Sequence, residues 1–299
     1  FLTFIIAQII LFMEIIMGMF GNEFIAAFYC TGWVKSRKLS SCDKILTCLV
    51  MSRIFYLGIC VANFCIFVSP PGPLQLVKVQ RTFGFLWLFS NTVCLWFTSC
   101  LSIFYCVMIT NCDLPLFLQM KQKISAMVPK ILLGSLLVTS NIYICIPTGD
   151  LCSNCTVAAK SWVVSYFYVI LLYSAASFIP FIIFLSSSIQ LIVSLWRHTR
   201  NMQHNATSFW DPSTEVHVRA NKAMISCLIL YIFNFAAVSI NTLPLCVTDS
   251  SWTPAITSIM AVAFPSGHSL ILILINPKLK QAMVRILRRI KCHLRKEIF

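Results

Sequence analysis

Few side chains in this sequence could do chemistry, and the first to weigh is a lone imidazole. His268 lies in AFPSGHSLILILINPKLKQ, Ala263 to Gln281, between a Pro-Ser-Gly turn signal and an aliphatic run that ends in lysines. A histidine so placed is either an acid–base group of a membrane enzyme or a polar residue near the end of a membrane helix. Acid–base work needs a partner that orients the ring and a group that holds the substrate. After His268 the chain has one further histidine, His293, in a basic tail with no aspartate beyond it, and the six residues that follow Ser269 are aliphatic.

The string PSGH in an apolar setting resembles one signature of the lipid phosphate phosphatases. That family also needs a basic run with Arg-Pro upstream to hold phosphate, and a second His paired with Asp downstream. Neither is in this sequence. The enzyme reading therefore fails, and His268 is expected to hydrogen-bond across the bundle near the inner end of the last membrane helix.

Other polar groups at membrane depth are Glu14, Glu23 and Arg53, with the amides Asn22, Asn63, Asn91, Asn234 and Asn241. Such groups are costly in hydrocarbon and so serve packing or function. Arg53 lies eight residues into the second apolar segment, about 12 Å from its inner end, and must find acceptors inside the bundle. The expected partners are Asn22 or backbone carbonyls, tying the first two helices together; the functional alternative is that this tie rearranges between two states.

Trp87, Asn91 and then Cys94 or Leu95 recur at three- and four-residue spacing, which places them on one helix face. An aromatic wall beside an amide suits a small, mostly apolar ligand with a few polar atoms. The plainer alternative makes Trp87 an interface-belt aromatic and Asn91 an interhelical bond.

The elements that must position these residues are membrane helices. The chain has 299 residues, 59% hydrophobic and only 11% charged, where soluble domains carry about 25% charged residues. A bilayer core about 30 Å thick takes about 20 apolar residues per helix, and seven such segments fall near 2–30, 45–68, 82–110, 127–147, 161–196, 223–245 and 255–275. The first is too long for a signal-peptide core and lacks a basic lead and a small-residue cleavage site, so it is expected to be a retained helix. The missing initiator Met is taken as a trimmed start. Loops are short and no repeat is visible, which predicts an all-α, seven-transmembrane bundle forming a single domain over 1–299.

A net charge of +14 could draw nucleic acid, but the distribution of charge points to a membrane instead. With the N-terminus outside, the inner segments and tail hold 19 of the 23 Lys and Arg, and the outer segments three: Lys78, Arg81 and Lys160. The positive-inside rule then predicts an extracellular N-terminus and a cytosolic C-terminus. The tail, 277–299, breaks from the last span at Pro277, and its RILRRIKCHLRK predicts a short basic amphipathic helix on anionic lipid. No nucleic-acid partner is required.

Most of the 15 cysteines fall inside apolar segments, where cysteine behaves as a small apolar residue. Cys152 and Cys155 sit in an outer loop with metal-like or redox spacing, but no second pair lies near, so no metal or cofactor is expected. The same loop holds Asn-Cys-Thr at 154–156, a glycosylation sequon on the side predicted to be outside, which makes Asn154 the expected acceptor. The Asn205 sequon falls inside and should stay bare.

Among other membrane classes, a retinal protein needs a lysine in the last span, and 255–275 has none. A transporter usually shows two related halves. A ligand-gated channel is compatible with the composition, though no helix carries a regular polar stripe.

Taken together, GNEFI in the first span, WVKSRKLSSCDKILTCLVMSR into the second, WLFSNTVCLWFTSCLSIFYC in the third, SLWRHTRNMQHNATSFWDPSTEVHVRANKAMIS across the third inner loop and PSGHSLILILINPKLKQ at the end resemble the type 2 (bitter) taste receptors, a family of G-protein-coupled receptors. The likeness runs nearly end to end. The DPSTEVH loop is its most specific part, and Asp211 followed by Pro212 also makes physical sense as an N-cap and first-turn proline for the sixth helix. The Asp-Arg-Tyr and Asn-Pro-x-x-Tyr signatures of rhodopsin-like receptors are absent.

The resemblance implies a plasma-membrane receptor, not an enzyme, that binds small bitter compounds from outside and activates gustducin-like or inhibitory G proteins. It implies ligand contacts at Trp87 and Asn91 and, by helix register, at Phe64, Tyr173, Asn241 and Ser258. It also places a G-protein-facing surface at Tyr105, His198, His217 and Lys222, and implies no cofactor. Asn234 stands where similar receptors usually carry an aromatic residue tied to switching, and its amide is expected to bond Asn91 or a ligand. Asn22, Arg53, Asn234 and His268 thus form the expected switch and packing set. The rival receptor class is the vomeronasal-type pheromone receptors, against which the DPSTEVH loop weighs; the rival outside receptors is a channel or transporter.

Overall fold

The computed structural model describes residues 2–37, 40–68, 72–109, 123, 126–137, 140, 155–205, 212–242 and 252–297. Among these residues the chain is all helix: α1 (Leu2–Ser36), α2 (Ser41–Val68), α3 (Pro73–Ile109), α4 (Ala126–Leu137), α5 (Cys155–Asn205), α6 (Pro212–Thr242), α7 (Trp252–Ile275) and α8 (Pro277–Glu297). Six of them carry apolar spans long enough to cross a bilayer, and α4 is a shorter apolar helix in the fourth place of a seven-helix bundle. The segment expected at 127–147 lies only partly within the described residues.

Helices satisfy their own backbone hydrogen bonds, which is what hydrocarbon demands. Their ends are closed locally. Ser40 and Asp43 form a capping box before α2: the Asp43 amide donates to Ser40 Oγ at 3.2 Å and the Ser40 amide to Asp43 Oδ2 at 3.2 Å. Arg37 closes α1 in the left-handed region at φ 50°, its amide donating to the Trp33 carbonyl at 2.7 Å. Asn276 caps α8, its Oδ1 accepting from the Lys278 amide at 3.0 Å, with Pro277 in the first turn.

The helices close a ring in which α1 packs on α2 and α7, α2 on α3, α3 on α5, α5 on α6 and α6 on α7. The third helix is the axis of this ring: 72% of its apolar span is buried, against 28% to 44% in the other five. Outward faces present isoleucine, leucine and phenylalanine, such as Phe20, Phe55, Leu171 and Leu274, as a lipid-facing surface should.

At the α8 end the core is apolar and continuous, joining Ile25 and Tyr29, Leu46 and Leu49, Phe97 and Phe104, Leu132, Ile273 and Leu279. Two glycines bring α1 against α7: a methyl group at Gly18 would lie 2.9 Å from Ser266 Cβ, and one at Gly21 would lie 3.3 Å from Ser269 Cβ. Small residues likewise let α5 meet α3, where Ser187 donates to Ser102 at 2.7 Å and Ser99 to the Pro180 carbonyl at 2.7 Å.

In α8, Leu279 and Met283 turn into the bundle while Ile286, Leu287 and Ile290 remain exposed beside Arg285, Arg288 and Arg289. This is the basic amphipathic helix expected from the tail.

Candidate functional site

Two cavities flank one broad face of α3, at the end of the bundle away from α8. The first, about 290 Å³, is bounded by α1, α2, α3 and α7; Phe64, Trp87 and Ser258 line it together with Gln8, Asn63 and Tyr56. Trp87 forms one wall, tilted against Tyr56 with ring centroids 6.2 Å apart, and Phe64 is stacked on Phe12 at 5.5 Å. Three polar side chains in an otherwise apolar chamber fit a compact organic molecule with a few hydrogen-bonding atoms.

The second cavity, about 270 Å³, lies between α3, α5 and α6, and its lining includes Asn91, Tyr173 and Asn234. Asn91 donates to Tyr173 Oη at 2.9 Å, holding α3 to α5. The two cavities share no lining residue. Trp87 and Asn91 thus belong to different chambers, although their four-residue spacing puts them on one broad face. Four residues turn a helix through about 400°, a net rotation of about 40°, and the bond to Tyr173 draws Asn91 towards α5. Between the chambers sits an apolar cluster of Tyr173, Ala237, Val238 and Ala261, packed against Trp87.

Asn234 is 1% exposed, and its amide nitrogen donates to the Ala261 carbonyl at 2.8 Å. This corrects the expectation of a bond to Asn91. The reason is covalent. Pro265 stands inside α7 and has no N–H, so the carbonyl four residues earlier, at Ala261, loses its helical donor, and Asn234 supplies one from α6. The sequence signal was present in the spacing of Pro265 and Ala261, and sequence reasoning missed it. The Asn234 Oδ1 has no partner among the described residues.

Nearer α8, Arg53 is fully buried. Its Nη2 meets His268 Nδ1 and lies 3.4 Å from Thr98 Oγ1, and its guanidinium sits 5.2 Å over the Phe264 ring. The His268 ring is stacked on the same Phe264 at 5.5 Å. The expected bond from Arg53 to Asn22 is not formed. The Asn22 nitrogen donates to the Gly18 carbonyl at 2.7 Å and the Pro265 carbonyl at 3.3 Å, and its Oδ1 has no partner among the described residues. Arg53 therefore ties α2 to α3 and α7, and Asn22 ties α1 to α7.

Of the residues expected to face a G protein, Lys222 is exposed, and Tyr105 is half-buried, accepting from the Cys42 thiol at 3.4 Å. His198 and His217 lie on α5 and α6, and Asn241 in the last turn of α6; their side chains, like Cys152 and Asn154, are outside the described residues. Glu23 is exposed and Glu14 half-buried. Among the described residues no three His, Cys, Asp or Glu side chains cluster as metal ligands do.

Comparison with known proteins decides the family. The sequence profile described as Taste receptor protein (TAS2R) matches residues 2–291. The chain belongs to the type 2 taste receptor family. The receptor is 38% identical over 294 residues to Taste receptor type 2 member 7 of Rattus norvegicus, covering 94% of each chain. It is 35% identical over 292 residues to Taste receptor type 2 member 8 of Homo sapiens, covering 93% of this chain and 94% of that one. Its fold is that of squid rhodopsin, with a TM-score of 0.60 at 12% identity over 96% of this chain and 86% of that chain. The receptor is thus a multi-pass G-protein-coupled receptor of the bitter taste class, and not an enzyme.

Proposed function

We propose that the receptor binds small, mostly apolar bitter compounds from the extracellular side in the Trp87 chamber. The observation that carries this reading is the convergence of Trp87, Phe64 and Ser258, from three different helices, on one chamber with Gln8 and Asn63. The chamber abuts the Ala261 segment of α7, and Ala261 is the residue whose carbonyl Asn234 holds from α6. An occupant pressing on that segment favours one arrangement of α6 against α7. It shifts the equilibrium only by its differential affinity for the two arrangements.

On this reading the whole chain acts as one bundle in the plasma membrane, N-terminus outside and glycosylated at Asn154. The cytosolic ends of α3, α5 and α6, with Tyr105, His198, His217 and Lys222, meet a gustducin-like or inhibitory G protein. The basic α8 rests on anionic lipid of the inner leaflet, where each Lys or Arg contributes about 1 kcal/mol.

The test is calcium release in cells expressing the receptor with a promiscuous chimeric G protein, screened against diverse bitter compounds, with a control lacking that G protein. An agonist found this way should lose potency about tenfold or more in Trp87→Ala, equivalent to about 1.4 kcal/mol, at unchanged surface expression. Superimposable dose-response curves would remove the chamber assignment, and responses that persist without G protein would indicate a channel.

A further inference from the structure

One polar group of the Trp87 chamber plays no part in the function proposed above. Tyr56 lines the end of that chamber nearer α8, packed with Ile15, Leu57, Cys94 and Val262, and is 1% exposed. Gln8 and Asn63 line the same chamber further from α8, each seven residues along its helix from Ile15 or Tyr56, or about 10 Å at the helical rise. The chamber thus has amides towards its outer end and a phenol at its depth.

The Tyr56 hydroxyl is buried and has no hydrogen-bond partner among the described residues. The polar side chains nearest to it are Trp87 and Cys60, which line the chamber with it. An indole N–H can only donate, and a thiol sulfur is a weak acceptor. These neighbours can serve the phenol's oxygen, but neither is a good acceptor for its hydrogen. A donor left over in a low-dielectric site is costly until an acceptor reaches it. The amides of Gln8 and Asn63 both donate and accept, so they do not choose between ligand types, whereas the phenol does. None of the described lining residues is Asp, Glu, Lys or Arg, so a charged molecule would give up its water here without gaining a counter-charge.

We propose that Tyr56 sets the selectivity of the Trp87 chamber: its hydroxyl donates to the leading end of the ligand, so the chamber takes neutral molecules that carry a hydrogen-bond acceptor, such as ketones, lactones and ethers, in preference to their hydrocarbon isosteres and to cations. The apolar body of such a molecule lies against Trp87 while its oxygen meets Tyr56 Oη. The volume, about 290 Å³, holds a compact ring system and little more. A site built to hydrogen-bond its ligand rejects an analogue lacking that group, because a buried polar atom is then left unpaired. This selectivity rests on the reading of the Trp87 chamber as the ligand site, and the two fail in different ways.

The experiment titrates the purified full chain in phosphatidylcholine discs by fluorine NMR with two probes of one shape. One is para-trifluoromethylacetophenone; the other is its isostere with a methylene group in place of the carbonyl oxygen. The wild-type chain should bind the ketone about fivefold more tightly than the alkene, the factor for one hydrogen bond of about 1 kcal/mol. Tyr56→Phe should remove that preference by weakening the ketone alone, and its unchanged affinity for the alkene shows that the variant is folded. The cation para-trifluoromethylbenzylammonium should not displace the ketone. Trp87→Ala should weaken both probes alike. If Trp87→Ala leaves both untouched, the chamber reading falls and the role of Tyr56 falls with it. If both probes depend on Trp87 but bind equally well to the wild type, or lose affinity equally in Tyr56→Phe, the role of Tyr56 alone is overturned. Displacement of the ketone by the cation, or no binding of the ketone to the wild type, would overturn the selectivity as well.

Discussion

The receptor has two buried polar centres along α3, and they are built on opposite principles. Around Arg53 a full charge is enclosed on every side, held by His268, Thr98 and the face of Phe264, and Arg53 lines neither cavity described above. Around Asn91 and Asn234 the groups are neutral amides, each with one nitrogen bond across a helix interface, and both border open volume. The charged centre lies where glycines and serines draw the helices tight. The amide centre lies where the helices part. The Arg53 Nε and Nη1 have no hydrogen-bond partner among the described residues, so what holds this centre is Nη2 and tight packing, which leave it little room to shift, whereas a single amide bond beside a void can be exchanged for another partner at small cost. On the proposed function, stability and response would be separated along one helix.

The comparison predicts its own breaking points. The largest effect should come from Arg53→Ala, which empties a fully buried volume and strips His268 of its partner, at a cost of about 3 kcal/mol or more. Surface expression should collapse, and a normal amount of receptor at the cell surface would end the distinction between the centres.

A smaller effect is expected from Asn234→Leu, which orphans the Ala261 carbonyl at about 1–3 kcal/mol. The midpoint of thermal unfolding in detergent should fall, and a second change, Pro265→Ala, should restore much of it by returning the missing N–H to α7. If the double variant is no more stable than Asn234→Leu alone, the proline is not what recruits the amide. The smallest shift should follow Tyr173→Phe, which removes the acceptor for Asn91 at about 1 kcal/mol. Surface expression should hold while basal signalling changes; unchanged basal signalling would leave the α3–α5 bond as packing alone.

How much of this could be read from the chain differs between the two centres. Arg53 and His268 were each visible as costly groups in apolar segments, but they are 215 residues apart, and nothing in their local spacing pairs them. The expectation that Arg53 would meet Asn22 relied on equal depth in neighbouring helices, and failed because Arg53 turns to His268 and Thr98 instead, while Asn22 Oδ1, the atom a guanidinium could reach, has no partner among the described residues. At the amide centre the spacing of Trp87 and Asn91 correctly marked one stripe of α3 but could not reveal that other helices divide it into two chambers. Gln8 and Tyr56 were missed outright, since a glutamine and a tyrosine in apolar helices carry no periodic signal.

The sequence by itself determined the class: apolar segments of membrane length, basic residues concentrated in alternate loops and a tail that mixes cations with aliphatic residues. These are local properties, and the bilayer enforces them one helix at a time. Tertiary structure alone decided which polar atoms satisfy one another, where α5 and α6 fail to meet and which face of α3 each chamber takes. Those outcomes depend on how side chains from distant segments share a fixed volume, and in hydrocarbon every donor and acceptor must find its partner within that volume.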